Sequence, residues 1–266
     1  MITEFPRRVF AFVAAALLSG AALAQTEMLL YCGITMVRPM TEIARLFEQR
    51  EKVRIVIAQG GSEDLYQSAK KSGVGDWYLP GEPSYRDMHL AEGLFGEQVT
   101  VGYNQIALIV QKGNPKKVQA DPRELLRKDL VVILGNAASG SVGLETKEVL
   151  DRLGIYQQAI RAAAFLAPDS RSLANALKKG EADLAMSWRA TGFFTDNADK
   201  LDVIDLAPEI ARPQALLLIQ LKSTRHPELA RRFQMLAAGA EGQAIFRKHG
   251  FSTTDPPTAG KPVSPR

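Results

Sequence analysis

Three short turns of small residues place side-chain hydroxyl groups beside glycines. They occupy residues 32–35 (CGIT), 59–62 (QGGS) and 135–141 (GNAASGS). Backbone N–H groups at the start of a helix have no partner within that helix, and the helix dipole adds partial positive charge there. Such a turn can hold an anion without any lysine or arginine. The recurrence of the pattern predicts a ligand site at the three turns, which include Thr35, Ser62 and Ser141.

The first turn leads from an apolar strand into an amphipathic helix. Apolar side chains at Met40, Ile43 and Phe47 have the spacing of a helix with one buried face. Thr35 stands where an N-cap is expected, and Pro39 falls in the first turn, where its missing N–H costs little. We therefore predict that the helix starts at the turn and directs its N-terminus toward the ligand.

Strands and helices alternate along the rest of the chain. We predict strands at residues 53–58, 77–79, 100–101 joined with 105–110, 130–134, 182–188, 201–206 and 214–220, and helices at 63–72, 84–92, 121–126, 142–153, 156–163, 170–179, 227–238 and 239–249. This alternation indicates an α/β fold with helix-covered sheets. In such sheets ligands bind at the carboxyl ends of strands, where the three turns lie.

The composition narrows the class of protein. The 266-residue chain has a formal net charge of +4, with acidic and basic residues interspersed, which argues against nucleic acid as a partner. Cys32 is the single cysteine, so the chain forms no intramolecular disulfide. The sequence has no G-x-S-x-G, H-E-x-x-H or P-loop motif and no G-x-G-x-x-G after a strand. We therefore expect no enzyme activity and no cofactor.

The two ends of the chain differ from the rest. Residues 1–24 carry two arginines, an apolar run and an A-x-A pattern, which is typical of a secretory signal peptide removed near Ala24. The mature chain is predicted to start near Gln25 and to be soluble in the periplasm. Residues 253–266 are rich in proline and are predicted to be a disordered tail.

Several short segments occur in an order that characterises one family. They are TEIA at residues 41–44, GVGD at 73–76, VQKGNP at 110–115, GEAD at 180–183, AEGQAI at 240–245 and KHGF at 248–251. In these segments the chain resembles the periplasmic substrate-binding proteins of ABC transporters, most closely the molybdate- and tungstate-binding branch. The resemblance covers about residues 29–251, nearly the whole predicted mature chain.

The resemblance implies a type II periplasmic binding fold with two α/β lobes. Each lobe would be a helix-covered mixed sheet, and the ligand cleft would lie between the lobes and close by a hinge motion. Lobe one would comprise residues 25–104 and 213–252, and lobe two residues 105–212. The implied partners are a small oxyanion and an ABC permease in the inner membrane, and a monomer is expected.

The resemblance also implies the ligand contacts. In the molybdate binders, hydroxyls and backbone N–H groups hold the oxyanion without cationic side chains. By position these contacts fall on Thr35, Ser62, Val142, Ser170 and Trp188. Trp188 replaces a tyrosine of the family but keeps an N–H donor and a large apolar wall. Glu63 stands where the family prefers glycine, and its carboxylate would repel a bound dianion, so the sequence leaves molybdate itself open.

Other residues near the turns keep alternative ligands open. Arg38 and Arg171 lie close enough in sequence to reach the cleft, and arginine would favour a carboxylate or phosphonate. Cys32, two nearby methionines and Glu63 are candidate ligands of a metal ion, although their spacing matches no compact metal motif. A solute sensor that feeds a receptor is equally compatible with the fold.

Overall fold

The computed structural model of the protein describes residues 25–253. The predicted signal peptide, and the predicted tail after Thr253, lie outside the described residues. Within residues 25–253, no helix combines the length and the apolar character needed to cross a membrane.

The described chain alternates strands and helices. The strands are β1 (Glu27–Gly33), β2 (Arg54–Gly60), β3 (Trp77–Leu79), β4 (Phe95–Asn104), β5 (Ile106–Gln111), β6 (Val132–Gly135), β7 (Phe165–Ala167), β8 (Leu184–Trp188), β9 (Leu201–Ile204) and β10 (Gln214–Leu221). The helices are α1 (Val37–Glu51), α2 (Ser62–Ser72), α3 (Ser84–His89), α4 (Ser141–Arg152), α5 (Tyr156–Ala162), α6 (Ser170–Lys178), α7 (Arg189–Gly192), α8 (Pro227–Ala238) and α9 (Ala240–Lys248). Short 3-10 turns occupy Ile34–Met36, Leu90–Glu92 and Pro122–Leu126.

The strands form two five-stranded mixed sheets. Sheet one has the order β2-β1-β3-β10-β4, and sheet two has the order β7-β6-β8-β5-β9. In sheet one, β1 is parallel to β2 and β3, while β10 is antiparallel to β3 and β4. In sheet two, β6 is parallel to β7 and β8, while β5 is antiparallel to β8 and β9. The predicted α/β class with two helix-covered mixed sheets is confirmed.

The burial of each strand follows its place in the sheet. The central strands β5 (IALIVQ) and β8 (LAMSW) are buried along almost their whole length, as their continuous apolar sequences require. The edge strands β7 and β9 are more exposed. Sheet two is therefore covered on both faces at its centre.

The chain crosses between the two sheets twice. Gln105 separates β4 of sheet one from β5 of sheet two, and the return lies between β9 and β10. Sheet one therefore draws strands from both ends of the described chain, and sheet two draws them from the middle. The predicted lobe boundaries, at residues 104/105 and 212/213, fall in these two connections and stay a prediction.

The amphipathic face predicted for α1 packs into the core of lobe one. Met40 and Ile43 are fully buried. The Phe47 ring meets the Phe233 ring of α8 edge-on at 5.2 Å between centroids, and Trp77 lies 4.5 Å from Phe233. These aromatic contacts anchor α1 against sheet one, which fixes where its N-terminal turn points.

Local structure differs from the sequence-based prediction at several places. Residues 100–101 and 105–110 are predicted to form one strand, but they belong to β4 and β5, which lie in different sheets. Thr35 was predicted as an N-cap, but it lies inside the 3-10 turn Ile34–Met36, and its hydroxyl bonds across the cleft instead of to its own backbone. The predicted helix at 121–126 is a 3-10 turn. The short elements β7 and α7 were not predicted, because three or four residues are too few to show a periodic pattern.

Candidate ligand-binding cleft

A cavity of about 290 Å³ lies between the lobes, where the three small-residue turns meet. Its walls are the residues that follow β1, β2, β3, β6 and β7, together with the end of β8. They are Gly33, Ile34, Thr35, Met36, Gly60, Gly61, Ser62, Gly81, Gly140, Ser141, Val142, Pro168, Asp169, Ser170 and Trp188. The cavity is thus built at the carboxyl ends of parallel strands from both sheets, as expected for this class of fold.

Four helical N-termini converge on the cavity. Among the described residues, no side chain caps the 3-10 turn at Ile34–Met36, α2 or α4. Only α6 is capped, by Asp169, whose carboxylate accepts from the Ser172 N–H at 2.8 Å. First-turn N–H groups have no partner within their own helix, and helix dipoles add positive potential. The uncapped N-termini therefore leave donors available for an anion, and among the described residues Asp169 is the only ionisable one in the cavity wall.

Each hydroxyl group in the cavity has a hydrogen-bond partner in the protein. The Thr35 Oγ1 atom lies 2.9 Å from Ser170 Oγ, which connects lobe one to lobe two. The Ser62 hydroxyl oxygen accepts from the Gly81 N–H at 3.0 Å. The Trp188 indole N–H donates to the Ser141 hydroxyl oxygen at 3.1 Å. Each of these hydroxyls is thus held by a protein partner, which limits the ordering that ligand binding must still supply.

Two glycines permit the close approach of the lobes. A Cβ atom at Gly61 would overlap the carbonyl oxygen of Ser139, and one at Gly81 would overlap the Ser141 hydroxyl oxygen. The φ angle of Gly61 is −66°, which any residue can adopt, so glycine is needed here for space and not for backbone conformation. At these two points the two lobes are in direct contact.

The structure brings six of the predicted site residues together. Thr35, Ser62, Ser141, Val142, Ser170 and Trp188 all line the cavity. Sequence reasoning missed the contribution of Gly81 and Asp169. The Pro80-Gly81 pair follows β3, which is parallel to β1, so its position at the carboxyl end of a third parallel strand was the available signal.

Two of the predicted residues lie away from the cavity. Cys32 is fully buried in the core of lobe one, and burial raises the pKa of its thiol far above the usual range, so it stays protonated. Glu63 turns toward α3, where it bonds His89 Nε2 at 2.9 Å, and it accepts from the Gln67 side chain of its own helix at 2.6 Å. Its carboxylate therefore does not face an anion in the cavity. Within residues 25–253, no group of three or more His, Cys, Asp or Glu could hold a metal ion.

Arg38 and Arg171 line a neighbouring compartment instead. This compartment encloses about 630 Å³ and shares Ile34 and Ser170 with the first cavity. The Arg38 guanidinium lies 2.6 Å from the Asp196 carboxylate, and Arg171 donates to the side-chain oxygen of Gln59 at 2.9 Å. Both arginines therefore stand at the border of the cleft and outside its small-residue cavity.

A buried carboxyl group lies behind the third turn, at the contact between α4 and β10. Glu145 is 1% exposed, and one of its oxygens accepts from the Gln214 side chain at 3.2 Å. Among the described residues, the other oxygen has no hydrogen-bond partner. Burial raises the pKa of Glu145 to about 7 from its ordinary value of 4.5, because the charged form is poorly solvated there.

We expect Glu145→Gln to flatten the pH dependence of stability. The folded protein keeps the Glu145 proton up to about pH 7, while the unfolded chain releases it earlier, so wild-type stability falls as the pH rises through this interval. The loss is at most about 3 kcal/mol. Denaturant unfolding should show that the free energy of unfolding of the variant increases relative to that of the wild type at pH 8 but not at pH 5. The exposed Glu148→Gln is the control, and parallel pH profiles for Glu145→Gln and the wild type would contradict the prediction.

Comparison with known proteins places the chain among solute-binding proteins. A family model described as a bacterial extracellular solute-binding protein matches residues 28–252. A search of curated protein sequences found no match.

Solved structures with the same fold bind different solutes. The periplasmic molybdate-binding protein of Azotobacter vinelandii is 15% identical with a TM-score of 0.66, covering 84% of this chain and 98% of that chain. The sulfate-binding protein SubI from Mycobacterium tuberculosis H37Rv is 17% identical with a TM-score of 0.71, covering 85% and 86%. Iron-bound HitA from Pseudomonas aeruginosa is 15% identical with a TM-score of 0.70, covering 90% of each chain. At these identities the likeness concerns the fold alone.

Proposed function

Because the chain belongs to the family of bacterial extracellular solute-binding proteins, we propose that it captures a small oxyanion of the molybdate or tungstate kind in the cleft between its lobes. The family binds solutes and its members are not enzymes. The two mixed sheets are those of a type II periplasmic binding protein. The closed, loaded form is presented to an ABC permease in the inner membrane. We place the protein in the periplasm as a monomer without a nucleic-acid partner.

The observation that carries the proposal is the convergence of uncapped helical N-termini on a cavity to which residues 25–253 contribute no cationic side chain. A fully ionised oxyanion only accepts hydrogen bonds, so it can pair with the N–H and hydroxyl donors of the wall. Pairing matters because a buried donor left without a partner costs about 1–3 kcal/mol. The close packing of the three turns around the cavity adds selection by size.

Binding of a ligand between the lobes is coupled to closure of the lobes. Ser62 belongs to lobe one and Val142 and Ser170 to lobe two, so a ligand held by all three bridges the lobes. A ligand shifts the balance between open and closed forms only by its differential affinity for the closed one. The Thr35–Ser170 contact adds a direct hydroxyl bridge of 2.9 Å in the closed form. Both features favour an anion that fills the cavity.

A thermal-shift panel tests the proposal. Purified protein is melted with molybdate, tungstate, sulfate, phosphate, small carboxylates and divalent metal ions. An oxyanion present at a thousand times its Kd should stabilise the folded form by about 4 kcal/mol, which raises the Tm on the order of 10 °C for a chain of this size. Stabilisation by metal ions or simple carboxylates alone, with none by any oxyanion, would overturn the proposal.

A further inference from the structure

We infer that the compartment beside the oxyanion cavity is a second anion subsite, which takes the carboxylate of a ligand whose oxyanion head occupies the first cavity. This inference rests on the proposed function, and it names the ligand class as a small phosphonate or related oxyanion that carries a carboxylate arm. The two spaces share Ile34 and Ser170 as walls. The second space is the larger, at about 630 Å³ against about 290 Å³.

The charge of the compartment favours an anion. Its wall contains three cationic side chains, Arg38, Arg171 and Lys178, and one carboxylate, Asp196. Asp196 lies 2.6 Å from Arg38 and 3.7 Å from Lys178. Partial burial opposes ionisation of Asp196, but these two cations hold the pKa of its carboxyl below the usual value. The Asp196 carboxylate thus pairs with two of the three cations, and the net charge of the wall is about +2.

The third cation has only a neutral partner. Arg171 follows Ser170 at the start of α6, and its guanidinium donates to the Gln59 carboxamide of lobe one. Arginine binds carboxylates through two parallel hydrogen bonds, so exchanging a neutral amide for a carboxylate strengthens the interaction. The Arg38 guanidinium lies over the Phe194 ring, 4.7 Å from its centroid, which holds it in place beside the compartment.

Two buried polar atoms in the same wall lack partners. Within the part of the chain that the structure describes, the Thr191 hydroxyl and the Asn197 carboxamide oxygen make no hydrogen bond, although these residues are only 1% and 4% exposed. Both residues line the compartment. Buried polar groups are nearly always paired, so these two residues make this part of the wall polar.

The compartment is formed by both lobes. Ile34 and Arg38 come from the first turn and α1, whereas Ser170 to Lys178 belong to α6 and the segment around Asp196 follows α7. A ligand arm held there touches Arg38 on one lobe and Lys178 on the other. It therefore adds to the free energy of closure that the oxyanion head supplies.

The test compares two probes that differ only in the carboxylate arm. Methylphosphonate supplies the head, and phosphonoacetate supplies the head and a carboxylate. Calorimetric titration of the wild-type protein should give a Kd for phosphonoacetate at least tenfold lower than for methylphosphonate. In Arg38→Gln combined with Lys178→Met, the ratio of the two Kd values should fall to near one. The matched control combines Arg45→Gln in α1 with Lys179→Met just after α6, both exposed residues, and should keep the wild-type ratio.

The outcomes separate this inference from the proposed function. A wild-type ratio near one, or a preference that survives in the Arg38→Gln and Lys178→Met variant, overturns the second subsite. Failure of phosphonoacetate to bind overturns it too, while binding of molybdate or sulfate in the melting panel leaves the proposed function intact. Titration with a mixture of methylphosphonate and acetate tests whether the two anionic groups must belong to one ligand. A mixture that reproduces the affinity of phosphonoacetate would show that the protein binds two separate anions instead.

Discussion

Gly61→Ala should lower oxyanion affinity by about 100-fold or more, because it obstructs the closed form. The added methyl group would overlap the Ser139 carbonyl oxygen, which belongs to the backbone of the opposite lobe. A backbone atom cannot rotate away as the end of a side chain can, so the lobes must stay apart. The φ angle of −66° at Gly61 suits alanine, so lobe one itself should fold normally. The effect is therefore expected on capture and not on stability.

Calorimetry measures the affinity of the variant for the oxyanion, and small-angle scattering measures whether the ligand makes the protein more compact. The variant should show weak binding and no ligand-induced compaction, with a ligand-free Tm close to that of the wild type. Gly96→Ala in β4 is the control, because Gly96 lies outside the cavity wall and a Cβ there would be 3.3 Å from its nearest atom, the Gln220 carbonyl oxygen. A Gly61→Ala protein that binds and compacts as the wild type does would show that the lobes do not need this close approach.

The combined change Thr35→Val and Ser62→Ala should weaken oxyanion binding by two to four orders of magnitude. Hydrogen bonds to a charged group contribute about 1.5–3 kcal/mol each, and every 1.4 kcal/mol is about tenfold in Kd. Both hydroxyls line the cavity from lobe one. Thr35→Val also removes the 2.9 Å hydroxyl bridge to Ser170, so the closed form loses a contact in addition to ligand donors.

The control variant removes two hydroxyls that lie outside the cavity, one in α1 and one in α2. Thr41 in α1 and Ser68 in α2 each donate to a backbone carbonyl of their own helix at 2.7 Å. Thr41→Val with Ser68→Ala should keep wild-type affinity in calorimetry. Because Ser62 also accepts from the buried Gly81 N–H, the site variant should melt somewhat lower without ligand. Unchanged oxyanion affinity in the site variant would remove Thr35 and Ser62 from the site.

Much of the fold could be predicted because periodicity is local. The one-sided spacing of α1, the continuous apolar runs of β5 and β8, and the glycines that end helices at positive φ, such as Gly73 and Gly154, are all properties of short segments. The elements β7 and α7, which escaped prediction, are three and four residues long, and the ten-residue β4 was predicted only at residues 100–101. Their pairing and packing with distant segments, and not their own sequence, give them structure.

The candidate site was predictable only where its residues follow a strand. Thr35, Ser62 and Ser141 stand at turns whose type indicates a helix N-terminus. Cys32 and Glu63 stand at the same turns, yet the first points into the core and the second toward His89. Sequence spacing gives the position of a residue along the chain, but the direction of its side chain depends on the neighbours that tertiary packing supplies.

By itself the sequence determined the class of the fold, the recurrence of strand, small-residue turn and helix, and the edge of each sheet where a ligand belongs. These follow from local hydrophobic periodicity and turn chemistry, which need no distant contacts. Only the tertiary structure decided which side chains face the cleft, why Gly61 and Gly81 must lack a side chain, and that the arginines line a separate compartment. Each of those features depends on the distance between the two lobes, and the residues that meet there are far apart in sequence.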